Sequence, residues 1–333
     1  MSAILSRMVL AAVTLLGVAI VVFVLIRVVP GDPIAMMIGP GATAADVATL
    51  RAHYGLDLPL ASQFLVWFKS ALGGDFGISI TRHVGVLGIL GDDLPATIEL
   101  VVAALLVAIV LGMAIAVTST LLRLNRGVAV IDGINGVLLA LPDFIWSLIF
   151  VLVFGVALPW LPLSGRIDPS IDVPFVTRFF LIESIVTGRF HVAGDIIAHM
   201  TMPTLALALP LAAVIGRVLK QALNEAMVQD YILLAKIKGM SELRLILREA
   251  LRNAVGPTLA LTGVQATFLI GGTVVVERIF AYPGLGNLAI DAVINRDFPL
   301  IQGLVLMFGL IFILINVLVD LSVVALNPRL RHG

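Results

Sequence analysis

Cysteine is absent from the 333 residues, charged residues make up only 13%, and the 21 Lys and Arg cancel the 21 Asp and Glu. Without cysteine there is no disulfide, thiolate nucleophile, Fe–S cluster or cysteine-ligated zinc, and the redox compartment stays open. Neutrality removes the basic field that nucleic acid would need, so no nucleic acid is expected as a partner. The charge content is about half the roughly 25% usual in soluble domains, and 60% of the residues are apolar. An ordinary soluble domain is excluded by both figures, and a disordered chain by the hydrophobicity.

Chemistry is scarce as well. None of the four lysines follows a glycine, so no phosphate-cradling Gly-x-x-x-x-Gly-Lys loop exists, and the chain is not expected to hydrolyse ATP or act as an enzyme. The five histidines, His53, His83, His191, His199 and His332, form no His-Glu-x-x-His pair, and no protein-built metal site is expected. No Gly-x-Ser-x-Gly elbow occurs, and Leu161 to Gly165 reads as a turn.

What the sequence does have is long apolar runs. A bilayer core about 30 Å thick needs about 20 helical residues, and six such runs appear: 8–26, 100–122, 133–158, 196–216, 253–276 and 298–319. The first is too long for a signal-peptide core and is followed by a poor cleavage site, so it reads as a retained helix. With six spans both termini share a side. Placing them in the cytoplasm puts Arg7, Arg123, Arg126, Arg217, Lys220, Lys236, Lys238, Arg244, Arg248, Arg252, Arg329 and Arg331 in short inside segments. The remaining nine basic residues spread over about twice as much outside chain, as the positive-inside rule requires. The reading is an all-α integral membrane protein of six transmembrane helices, divided at residue 94 into an N-terminal helix with its outside loop (1–94) and a five-helix core (95–333).

Three connections carry information. In the first outside loop, Thr43 to Asp46 opens a short helix to about Tyr54, and Pro59 opens a second with Phe64, Trp67 and Phe68. This amphipathic pair either anchors the loop at the lipid interface or receives a partner. In the inside loop 217–252, Leu233, Leu234 and Ile237 recur at helical spacing, Gly239 and Ser241 break and recap the chain, and a second apolar stripe runs from Leu243 to Leu251. That is a helix–turn–helix, either a plain basic hairpin or a docking surface. In the last outside loop, Ala281 to Asn287 is a turn-forming cluster that either simply turns or leads into a short helix.

Asp143 is the one carboxylate near the middle of a span, at a cost of about 2.5–3.5 kcal/mol on insertion scales. It follows Pro142, which frees a carbonyl, so the carboxylate is expected to face protein or water, in a structural hydrogen bond or along a polar path. Glu99 and Asp320 lie at span ends and are expected to reach the interface. Pro203, Pro210, Gly263, Gly271 and Gly272 suit close helix packing or a gate.

Several strings, in order along nearly the whole chain, resemble the permease subunits of binding-protein-dependent ABC importers. Asp230-Tyr231-Ile-Leu-Leu-Ala235-Lys-Ile-Lys238-Gly239, followed by Glu249 to Ala254, resembles their EAA loop. Arg27 to Pro33, Tyr54 to Pro59, Gly74 to Gly77, Leu94 to Leu100, Leu161 to Gly165, Glu277 to Gly286, Asn295 to Pro299 and Asp320 to Arg329 resemble the B-type permease of the oligopeptide/dipeptide/nickel branch.

The resemblance implies a type I importer permease fold working by alternating access. It implies a second homologous permease subunit, two cytoplasmic ATPases that bind ATP and Mg, and an extracytoplasmic substrate-binding protein, in a bacterial or archaeal inner membrane. No cofactor is implied for this chain. The coupling loop 217–254 would dock an ATPase through Asp230, Tyr231, Ala235, Lys238, Gly239, Ser241 and Leu251. Pro142, Asp143 and Trp146 would lie near the translocation path, and Tyr282, Pro283, Gly284 and Gly286 would form an outer loop or gate. Two departures stand out: Leu251-Arg252 replaces the Leu-Pro that ends the general EAA pattern, and Asp143 stands where the branch usually has Ser after Pro142. An ion-coupled secondary transporter is the alternative, although Asp143 has no equivalent in the second half.

Overall fold

The computed structural model describes residues 2–28, 57–122 and 126–326. Apart from one isolated bridge between Ile78 and Gly85, the regular structure among them is helical. Five helices are long and apolar enough to cross a membrane, over Val9–Arg27, Val86–Leu121, Phe190–Met227, Glu242–Ile279 and Phe298–Val319. A helix pair, Gly127–Ala140 and Asp143–Ala157, bent by 99° at its break, makes a sixth if the pair is one span. The described residues thus give five or six candidate spans where six are expected, and the expected third span is not one straight helix. Pro142 lacks an N–H and clashes with the preceding turn, which ends one helix at Ala140 and starts the next at Asp143.

The chain forms two compact units. The first takes in the described residues up to Leu94 together with Asn287–Ile313. It holds α1 (Ser2–Val28), α2 (Leu60–Leu72) and parts of α3 (Val86–Leu121), α10 (Leu285–Ile294) and α11 (Phe298–Leu326). The expected second loop helix is α2; the expected one ending near Tyr54 lies outside the described residues. Val22 and Ile26 of α1 and Phe298 of α11 form a small core with Trp67, Ile80, Ile301 and Val305 around it. Phe23, Phe64 and Trp67 meet at ring distances of 5.4–6.1 Å, while the Arg27 guanidinium lies 4.5 Å above the Phe23 ring and its Nε donates to Gln63 Oε1 at 3.1 Å.

The polar centre of this unit is Asp297. It is fully buried, and Oδ2 accepts the Ser79 hydroxyl at 2.5 Å, the Thr81 hydroxyl at 2.8 Å and the Thr81 N–H at 3.1 Å, while Oδ1 caps α11 by accepting the Leu300 N–H at 3.3 Å. Burial alone would raise its pKa, but the hydrogen bonds from Ser79 and Thr81 outweigh that and hold the carboxyl below its ordinary range.

The second unit, Pro95–Gly286 with the chain beyond Leu314, is built around α7 (Phe190–Met227), which runs unbroken through Pro203 and Pro210. Around it lie α4 (Arg126–Ala140), α5 (Asp143–Phe150) with its π-helical continuation Val151–Ala157, α6 (Phe180–Val186) and α9 (Leu251–Ile279). Its core joins Leu100 and Ala104 of α3, Ile196, Met202 and Leu211 of α7, and Leu269 and Val276 of α9. Glycine permits close approach of α3 and α7: a Cβ on Gly112 would lie 2.8 Å from Ile215, and one on Gly216 would lie 3.0 Å from Ile115.

Truncating Asp297 leaves the buried Ser79 hydroxyl without its acceptor and removes the α11 cap. D297A is expected to destabilise the chain by about 1–3 kcal/mol, seen as a Tm lowered by several degrees in detergent, with D297N intermediate. Because the folded pKa is depressed, this contribution is present above about pH 4 and is lost as the pH falls through the folded value. The Tm gap between wild type and D297A therefore narrows on acidification.

Candidate functional site

Three groups of residues could act, all in the second unit. The first surrounds the break at Pro142. Asp143 is the first residue of α5, and its Oδ1 accepts the Phe144 N–H at 2.8 Å. Among the described residues it forms no ion pair. With Leu139, Pro142, Leu207, Pro210, Leu211, Val214, Gln265, Phe268 and Leu269 it lines an open cleft of about 270 Å³. The other carboxylate oxygen rests on Gly272, where any Cβ would overlap it. A glycine on α9 thus makes room for a charge on α5. Trp146 does not line this cleft: it packs on the core and begins an aromatic ladder through Phe150, Phe154 and Trp160 at 5.7, 5.9 and 6.0 Å.

The second group is the hairpin between α7 and α9. Helix α8 (Asp230–Ile237) ends in a left-handed Gly239, φ 82°, with the Gly239 N–H donating to the Lys236 carbonyl at 3.0 Å and the Met240 N–H to the Ala235 carbonyl at 3.3 Å. This is the Schellman closure that the glycine position suits. Ser241 sits at the N-cap of the following turn Glu242–Arg244, without a side-chain cap bond, and that turn passes through π-helical residues Leu245–Ala250 straight into α9.

The hairpin's two faces differ. Ile232, Ala235, Leu245, Ile246 and Ala250 are buried, and several of them join Leu219 and Leu223 in a core at the end of α7 with Leu251 packed against it. Leu233, Leu234 and Ile237 point away and are 59%, 60% and 74% exposed, with Tyr231, Leu243 and Leu247 also exposed. Asp230, Lys238, Gly239 and Ser241 are exposed as well. The stripe noted in the sequence is therefore an outward face, and the core contact uses the residues between.

The third group surrounds Glu277, which is fully buried. One oxygen accepts the Thr97 hydroxyl at 2.7 Å and the other the Gly286 N–H at 2.7 Å, while the Glu277 carbonyl accepts the Tyr282 N–H at 2.8 Å. The Thr97 oxygen in turn accepts the Leu285 N–H at 2.8 Å. The turn Ala281–Gly284 wraps this carboxylate closely: a Cβ on Gly284 would lie 2.5 Å from it. Turn and helix both occur in the last loop, the turn leading directly into α10. Tyr282 is fully buried, which raises its phenol pKa far above the usual value.

Two carboxylates near this turn were not legible as partners in the sequence. Glu99 does not reach an interface but is buried, with Oε2 2.7 Å from the Arg166 guanidinium and Oε1 accepting the Leu181 and Ile182 N–H groups. Arg166 also donates to the Arg178 carbonyl at 2.8 Å and lies 4.0 Å above the Phe180 ring. Glu277 stands out in the sequence only through its flanking apolar run Val274–Val276, the signal that accompanies its burial.

The family model described as binding-protein-dependent transport system inner membrane component matches residues 108–332, and the model of the family's N-terminal part matches residues 1–101. The chain is 36% identical to the di/tripeptide transport system permease protein DppB of Pseudomonas aeruginosa, over 100% of this chain and 99% of that one. It is 34% identical to the dipeptide transport system permease protein DppB of Escherichia coli K12 over 99% and 98% of the two chains. It is also 34% identical to the glutathione transport system permease protein GsiC of Salmonella choleraesuis over 96% and 95%.

Gly284→Ala forces the turn off the Glu277 carboxylate. The expected result is a stability loss of about 1–3 kcal/mol, the scale for a disturbed buried hydrogen bond, together with faster proteolytic nicking between residues 281 and 286. Unchanged Tm and cleavage would show that the turn tolerates a side chain there.

Proposed function

The chain belongs to the binding-protein-dependent transport system inner membrane component family, and from that premise we propose that it is a permease subunit of an ATP-driven importer of peptides. It forms half of a translocation path that opens alternately to the two sides of the membrane. The family match, over nearly the whole length of peptide-permease relatives, favours ATP-driven import over the ion-coupled alternative.

The observation that carries the reading is the hairpin. Exposed leucines and an isoleucine on a rigid, buried base are what a partner's groove requires and what a solvated loop avoids. We assign Asp230, Tyr231, Ala235, Lys238, Gly239, Ser241 and Leu251 to ATPase coupling, the first two and Lys238 to Ser241 at the surface, and Ala235 and Leu251 in the base. The partners are then a second homologous permease, two cytoplasmic ATPases holding ATP and Mg, and an extracytoplasmic binding protein. The basic residues of the hairpin side favour a chain with both termini in the cytoplasm, in a bacterial inner membrane.

Pro142 and Asp143 line the path, with Trp146 supporting them from the core. Tyr282, Pro283, Gly284 and Gly286 form the opposite, outer loop, held by Glu277. ATP binding would draw the two hairpins together and open the outer side, and hydrolysis would reset the inward state. The division of the chain at residue 94 into an N-terminal helix with its loop and a five-helix core belongs to the same reading.

Two experiments test it. Affinity purification of the tagged chain with the products of neighbouring genes is expected to recover a second permease and P-loop ATPases in fixed ratio, and a lone chain would overturn the assignment. Gly239→Pro removes the left-handed closure and is expected to cut peptide uptake at least tenfold while membrane insertion and basal ATP turnover persist. Unimpaired uptake would remove the hairpin from coupling.

A further inference from the structure

Residues 158–189 join the end of the bent helix pair at Ala157 to the start of α7 at Phe190, at the end of α7 away from the hairpin. Their polar groups are spent inward. Glu99 accepts the Leu181 and Ile182 N–H groups at 3.0 and 3.3 Å, which fixes the start of α6. The Glu183 carboxylate accepts the Val176 and Thr177 N–H groups at 2.8 and 2.6 Å and the Thr177 hydroxyl at 2.6 Å. The Arg189 guanidinium donates to the Pro174 carbonyl at 3.2 Å, and the Phe175 and Phe180 rings stack at 3.9 Å. Helix and loop are thereby fastened to each other and to α3.

What remains outside is apolar. Ile182, Ile185 and Val186 follow at intervals of three and one and share one side of α6; all are exposed, Val186 at 80%. Val176 is 94% exposed although its own N–H is tied to Glu183. Phe190, 70% exposed, opens α7 and is followed on the same side by exposed Gly194 and Ile197. A fastened segment that holds so many large apolar side chains outward has a cover outside the chain.

The surroundings of this face identify the cover as lipid. The face continues the exposed side of a helix long and apolar enough to cross the membrane. Arg178 and Arg189 stand just before and just after α6, where an interfacial helix has its cations, and the exposed Asp168 and Asp172 stay in the preceding loop. The Thr187 and Thr201 hydroxyls turn back onto the Glu183 and Ile197 carbonyls, both at 2.7 Å, which leaves neither donor facing hydrocarbon. At the other end of the segment Trp160, 70% exposed, follows closely on Ala157, as suits a membrane–water boundary. A soluble protein that docks and leaves would return the face to water between visits, whereas a bilayer covers it throughout.

We propose that α6 is an interfacial helix seated in the leaflet opposite the hairpin. Ile182, Ile185 and Val186, with Val176 and Phe190 beside them, enter the acyl boundary to a depth of roughly 5–10 Å, and Arg178 and Arg189 lie at phosphate level. Glu99, through its bonds to α6 and Arg166, then ties a lipid-seated helix to α3 and fixes the depth of this end of the core. The seat depends on the chain crossing a membrane and not on what it transports.

The absence of cysteine makes the depth measurable. Ile182→Cys, Val186→Cys and Asp172→Cys, each the sole cysteine, carry a nitroxide in the full chain with its co-purifying partners, in nanodiscs of phosphatidylethanolamine and phosphatidylglycerol. Collision with oxygen, which concentrates among acyl chains, is compared with collision with a water-soluble nickel chelate. The oxygen-to-chelate ratio is expected to be roughly fivefold or more higher at positions 182 and 186 than at 172, as a seat below the headgroups requires. A ratio at 182 and 186 equal to that at 172 would put the face in water, and shielding from both reagents would put it against another protein; either overturns the seat. The unmodified complex gives a second reading: a phospholipid carrying a diazirine on its acyl chain is expected to label residues 176–190 on illumination. Labelling that reaches the membrane-crossing helices and spares 176–190 overturns the proposal, whether or not the cysteine variants assemble.

Discussion

A carboxylate that cannot reach water must find its hydrogen bonds inside the protein, and Glu277 organises its surroundings on that condition. Its oxygens accept from Thr97 on α3 and from Gly286 at the start of α10, and the turn between Ala281 and Gly284 has glycine where the carboxylate presses against the backbone. Two residues further along α3, Glu99 does the same for the segment before α7, binding Arg166 and the first N–H groups of α6. Two irregular segments are thereby tied to one stretch of one helix. The Gly165 N–H, 2.9 Å from the Phe280 carbonyl, joins the segments to each other.

The break at Pro142 meets the opposite condition. Here the carboxylate is not enclosed: Asp143 stands at the first turn of α5, with Gly272 leaving it space and an open cleft before it. Glu277 and Glu99 are saturated by protein donors and serve construction. Asp143 keeps acceptor capacity free and faces an open cleft, and this separates it from the carboxylates that hold the fold.

Much of this could be read in the sequence because its physics is local. Apolar length marks the spans, and Gly239 announces the hairpin closure through its own backbone preference. The outward stripe of α8 was visible as Leu233, Leu234 and Ile237. Which side of that stripe met the core was not, because helical spacing gives a face without its direction. The 99° bend was legible only as a loosened helix, since proline fixes where a helix ends but not where the next one points. Glu99 and Glu277 were missed because their partners lie 67 and 180 residues away. No spacing rule reaches that far.

The hairpin has no joint where it meets the membrane-spanning part. The turn Glu242–Arg244 passes through the π-helical residues into α9 without a loop, and from Leu251 to Gly272 the helix runs about 30 Å. The end that carries the exposed leucines and the wall against which Asp143 rests are thus parts of one strut. Pro257, which has no N–H to donate, interrupts the hydrogen-bond ladder of this stretch, so bending of the strut is concentrated there. The exposed leucines and the space beside Asp143 are thereby joined through one helix, with no relay of side chains between them.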